Sequence, residues 1–140
     1  MRRVYYVKGK VTKASGLLSW LVTGKPVEGY LIVDGSDDDF KDVVGCTFGV
    51  VGELTKAPLI GCIPITSRRF NRTEVTMDSR NYFSKLVFEN MAVSIMVDVS
   101  DDGGSFNRVE VDGSPSSMKR ILMISAVTIS GDGKMVSEQS

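Results

Sequence analysis

Histidine is absent from all 140 residues. With it go the Ser-His-Asp and Cys-His nucleophile systems, His-ligated metal sites and the commonest general base near neutral pH. Cysteine is scarce: Cys46 and Cys62 form neither a C-x-x-C redox motif nor half of a zinc site. Their apolar surroundings, Val44-Gly45-Cys46-Thr47-Phe48 and Ile60-Gly61-Cys62-Ile63, favour two buried thiols over one disulfide. Free thiols fit a reducing, cytoplasmic setting. No uncharged run approaches the ~20 residues that a membrane-crossing helix needs. The Met-Arg-Arg start ahead of Leu17–Val22 imitates a secretory leader. Its apolar run is only six residues long, however, and Lys8, Lys10 and Lys13 intervene, so neither a leader nor a membrane role is expected. Net charge is missing too. Seventeen basic and seventeen acidic side chains cancel, which removes a global field toward nucleic acid or anionic lipid.

What is present is average in amount and skewed in kind. Apolar residues make up 42% of the chain and charged residues 24%, as in ordinary soluble domains. A chain of this length can bury roughly two thirds of its unfolded surface. Nineteen valines, eight isoleucines and eight threonines stand against four alanines and eight leucines, the reverse of a helical bundle's usage. Met91–Ser100 alternates at period two. Asp101-Asp102-Gly103-Gly104-Ser105 supplies turn residues and Phe106–Asp112 alternates again, so 91–112 reads as a β-hairpin. Ile121–Ser130 is apolar on both faces, as in a central strand covered on both sides. Val4–Lys13, Tyr30–Asp34 and Leu59–Thr66 read as further strands, with Pro64 confining the last to an edge or bulged position.

Two segments read as helices. Asp37-Asp38-Asp39 can cap a short one over about 38–44, closed by Gly45. Asp78 can cap an amphipathic one over about 79–89, with Tyr82, Phe83, Leu86 and Val87 at helical spacing. The expected architecture is a single α+β domain over 1–130, followed by a polar tail, 131–140, that frays. Its body is a mainly antiparallel β-sheet of six to eight strands, or a partly open barrel, with the 79–89 helix on one face.

Charge is unevenly placed. Residues 1–27 carry six positive and no negative charges, while 28–53 carry one positive and seven negative. Either neighbouring strands set these blocks side by side and neutralise them, or they make a dipolar surface that orients a partner. Arg68-Arg69-Phe70-Asn71-Arg72 offers cations and a flat ring for nucleic acid, although a solvated loop explains it as well.

Other matches are partial. Asp98-x-Ser100-x-Asp102-Gly103 begins like a calcium loop but has Val109 where the closing glutamate belongs. Ser116-Ser117-Met118-Lys119 has the S-x-x-K spacing without its companion motifs. Gly24-Lys25-Pro26 lacks the rest of a phosphate loop, and the Asn71-Arg72-Thr73 sequon matters only in a secreted protein. No cofactor or metal is implied.

Leu17-Leu18-Ser19-Trp20-Leu21-Val22, between Gly16 and Gly24, has two readings. The favoured one is a buried strand with Trp20 in the core, its truncation costing about 3–5 kcal/mol. The other is a displayed loop whose glycines act as hinges and whose tryptophan is a contact hot spot. Together these features suggest a small intracellular accessory or inhibitor-type protein, of a kind bacterial or phage genomes encode. It would bind a macromolecular partner, foremost a protein, and could self-associate. A nucleic-acid-binding module comes second and a carboxylate-dependent enzyme third. The candidate partner-binding residues are Leu17, Leu18, Trp20, Arg68, Arg69, Phe70 and Arg72.

Overall fold

The structure, a computed structural model, describes residues 2–36, 39–54, 58–62, 71–78, 83–89, 93–100, 103–115 and 123–139. Among these residues the regular structure is nine strands and one 3-10 turn, Ser19–Leu21. The strands are β1 (Arg2–Gly16), β2 (Pro26–Ser36), β3 (Asp39–Val50), β4 (Ile60–Cys62), β5 (Asn71–Asp78), β6 (Phe83–Glu89), β7 (Val93–Val99), β8 (Ser105–Gly113) and β9 (Ile124–Gln139). They form one antiparallel sheet in the order β4-β3-β2-β1-β9-β8-β7-β6-β5. Each half is a meander of sequence neighbours. The halves join where β1 pairs with β9, the two longest strands.

The β-branched composition does what period-two burial requires. Tyr5, Val7 and Val11 on β1, Leu31 and Val33 on β2, and Val93, Ile95, Val97 and Val99 on β7 all turn to one face and are buried. Among the described residues no helix covers that face, yet Tyr5, Leu31, Phe48, Ile95, Val111 and Ile129 are 0% exposed. A flat single layer would leave such side chains in water. The sheet therefore curls until its inner face covers itself, and β3 approaches β5 from the other half. No pairing joins β4 to β5 among the described residues, so the sheet is open.

Two large rings fill the interior beside glycines. Val7 lies opposite Gly29 on β2 and Gly133 on β9. Phe48 packs over Gly29, where a methyl group would collide with its ring. Phe106 packs over Gly133, where a methyl carbon would sit 3.0 Å away. Tyr5 stacks on Phe106 at 3.9 Å between ring centres, and its hydroxyl donates to the Gly103 carbonyl at 2.5 Å. The phenol is thereby satisfied inside an apolar core.

Several expectations are corrected. The 38–44 helix is replaced by β3: the chain reverses between Ser36 and Asp39, which are register partners, and Gly45 pairs within the ladder opposite Ile32 instead of capping. β-branched Val43, buried, suits that ladder. The helix expected over 79–89 is likewise corrected over its described part: Phe83–Glu89 is strand β6, with Leu86 opposite Glu74 on β5 and Val97 on β7, while 79–82 lie outside the described residues. Neighbours on both sides outweigh a helical spacing that omitted Phe88, which is fully buried. Residues 131–139 do not fray but complete β9, reaching Arg2 at Gln139.

β9 is central, as expected, but it is covered on one face only. A bulge beside Ser15 and Gly16 brings Ile124, Val127 and Ile129 to the same side and leaves Ser125 and Ala126 exposed. The hairpin expected over 91–112 is present as β7 and β8. β4 takes the expected edge position, with Pro64 outside the described residues. Cys46 is disulfide-bonded, and the chain's other cysteine, Cys62, stands opposite it across the β3–β4 pairing. The two-thiol expectation is overturned because the hairpin brings the cysteines face to face. Paired cysteines are the habit of oxidising compartments, so they no longer favour the cytoplasm. No helix among the described residues is long and apolar enough to cross a membrane.

Candidate interaction site

The connection from β1 to β2 is short, tightly bonded and apolar at its tip. Gly16, at φ 110°, packs against the backbone of Met123, Ile124 and Ser125 so closely that a side chain would not fit. The 3-10 turn follows. Thr23 donates to the Ser19 carbonyl twice, from its amide at 3.1 Å and its hydroxyl at 2.9 Å. Val11 then clasps the far side: its amide donates to the Lys25 carbonyl at 3.0 Å, and its carbonyl accepts from Gly24 at 2.8 Å. Gly24 turns the chain at φ 82°. Val22, 3% exposed, anchors the loop in the core.

The anchored loop holds Leu17 at 73% and Trp20 at 70% exposure, with Leu18 half-buried. The buried-strand expectation for Leu17–Val22 is therefore wrong, and Trp20 is not a core residue. The run lies where the meander reverses direction, and only Val22 turns fully inward. Met123, just before β9 and beside Gly16, is 58% exposed and holds the left-handed φ of 62°, uncommon for a non-glycine residue. It extends the exposed apolar surface at this end. Sequence reading placed Met123 in a central strand, and nothing local in its type signals the positive φ.

Charge along β1 changes character toward this end. Arg2 lies opposite Asp34, Lys8 opposite both Glu28 and Asp132, and Arg3, buried, pairs with Glu138 at 3.3 Å. Over this part, the opposed sequence blocks are set side by side. Lys10 instead faces Pro26 and Ser130, Lys13 faces Thr128, and Lys25 sits in the loop; all three are exposed. The described exposed acids at this end are Glu53 and Asp112, the latter accepting from the Thr128 hydroxyl at 2.5 Å. Among the described groups, a raised pKa is resolved for Tyr6 on the outer face. The hydrogen bond its hydroxyl donates to Glu28, at 3.0 Å, is the main cause, followed by burial and then by the carboxylate charge and Tyr30. Its ring lies 5.6 Å from that of Tyr30.

Arg68, Arg69 and Phe70 lie outside the described residues, while Arg72 is on β5, opposite Phe88 in register. Strand directions put the start of β5 at the same end of the sheet as the β1–β2 loop. Of the calcium-like stretch, Ser100 is engaged within its hairpin, donating to the Ser105 carbonyl and accepting from the Ser105 amide. Asp102 and the S-x-x-K segment lie outside the described residues. No protein-family model, curated protein or solved structure matches this chain.

Proposed function

We propose that this protein is a binding module that captures a protein partner through the β1–β2 loop, with Leu17 and Trp20 as the contacting side chains. The observation that carries this reading is the pair of exposures, 73% and 70%, on a loop closed by backbone hydrogen bonds. A tryptophan left in water forgoes a large apolar burial, and large aromatics concentrate at the centres of interfaces. Because the loop is already held in shape, binding would cost little ordering entropy. No reaction is required of these residues, and none of them carries a nucleophile or general base.

The test is site-specific photo-crosslinking in the native host. p-Benzoylphenylalanine replaces Leu17, which keeps an apolar aromatic group there, and a control carries it at exposed Asn107 on β8. The expected result is a discrete protein adduct from position 17 alone, lost on Trp20→Ala. Identical adducts from both positions, or none from position 17, would overturn the reading.

A further inference from the structure

We infer that the partner segment received by this loop is acidic, with aspartate or glutamate flanking an apolar side chain. The inference rests on the binding reading above and adds the chemistry of the partner. Lys10 and Lys13 lie either side of a bulge on β1 that sets them opposite Ser130 and Thr128, a span of roughly 7 Å along β9. The Lys25 backbone is bonded to Val11 between them. Three exposed cations are thus gathered at the base of the Leu17–Trp20 tip, and neither of the two on β1 has an acid as its register partner. Elsewhere on the same strand, Arg2, Arg3 and Lys8 each face an acid. Since the chain is neutral overall, a cluster whose strand lysines face no acid across β2 or β9 orients a partner without attracting polyanions in general.

The complement of an apolar tip ringed by lysines is an apolar side chain ringed by carboxylates. A broad anionic surface fits less well. A membrane or nucleic-acid track laid over this end would also meet Asp112, which lies across Thr128 from Lys13, whereas a narrow peptide segment can follow the lysines on the other side. Contacts of this kind set association rate and specificity, while the apolar pair supplies the hold.

Trp20 is the chain's only tryptophan, so its fluorescence reads this site alone. The full chain would be titrated with four probes: a peptide of about a dozen residues alternating glutamate with leucine and phenylalanine, its lysine-for-glutamate counterpart, phosphatidylserine vesicles and a single-stranded oligonucleotide. We expect a saturable blue shift with the acidic peptide alone. Its affinity should fall at least about tenfold between roughly 50 and 500 mM salt. It should fall by a similar factor in Lys13→Glu/Lys25→Glu, whose melting should match the parent because both side chains are exposed.

A shift with vesicles or oligonucleotide but not with acidic peptide would overturn the inference, as would peptide binding indifferent to lysine reversal. Should position 17 give a specific cross-link while the acidic peptide leaves Trp20 unchanged, the acidic partner is refuted and the binding module stands. Without a cross-link, both fall.

Discussion

Phe48 and Trp20 are both large aromatics in the same meander, yet the first is fully buried and the second is 70% exposed. Residue type does not separate them; backbone does. Phe48 sits on a strand whose alternate positions face the inside of a curled sheet, over a glycine that leaves room for its ring. Trp20 sits on a 3-10 turn between two glycines at positive φ, in a loop anchored by Val22 rather than by itself. Apolar character predicts burial only where a ladder sets the direction of the side chain. In the reversal between strands the same character is displayed.

The largest effect should come from testing this contrast directly. Phe48→Ala removes a ring from a packed interior and should destabilise by about 3–5 kcal/mol. Trp20→Ala should change stability by no more than about 0.5 kcal/mol, as at ordinary surface positions. Chemical denaturation of both variants checks the pair. Equal losses would mean that Trp20 belongs to the core after all, and the binding reading would lose its support.

A second comparison sets the edge strand β4 against the interior. β4 is three residues long with a hydrogen-bonded neighbour on one side only among the described residues, and the Cys46 disulfide ties it to β3. Closing a loop of about 15 residues is worth about 3 kcal/mol in the chain-entropy account. Cys46→Ser/Cys62→Ser, or reduction of the parent, should therefore lower stability by about that amount. A protein indifferent to reductant would mean that the cysteines are the free buried thiols suggested by their apolar neighbours. Free-thiol titration of the unfolded, unreduced chain reports the same distinction.

The β class and the β7–β8 hairpin were legible because β-branched composition and period-two alternation are themselves consequences of a half-buried sheet. The helices were misread at places where local and long-range signals conflict. Phe83, Leu86 and Val87 fit one helical face, but Leu86 also has a strand partner on each side, which no local window contains. The tail was misread for the opposite reason. Gly131–Gln139 is polar because much of it faces outward, and its pairing partner, β1, lies at the other end of the chain. Of the candidate site, the apolar run and the basic first block were visible in sequence. Their meeting at one end of β1 was not, because it depends on which lysines face acids across β2 and β9.

The smallest expected effect sharpens the contrast between the two halves of β1. Where the charges are compensated, Tyr6 donates to Glu28, and this hydrogen bond is the main reason its phenol titrates above the ordinary value of 10.0. Ionising the phenol would remove the donated proton and set two anions against each other. The folded state therefore holds this proton more tightly than the unfolded chain does. It follows that Tyr6 contributes stability in full below about pH 10, and that this contribution is lost as pH rises from there through the raised folded pKa. Tyr6→Phe should be slightly less stable than the parent at neutral pH and should show a shallower decline above pH 10. Lys13→Glu/Lys25→Glu, at the uncompensated end, should leave that alkaline decline unchanged. Parallel declines for parent and Tyr6→Phe, followed by denaturation across about pH 8–11, would mean that the Tyr6–Glu28 contact is not maintained in solution. The neutralised half of the strand would then lose its best-defined polar contact on the outer face.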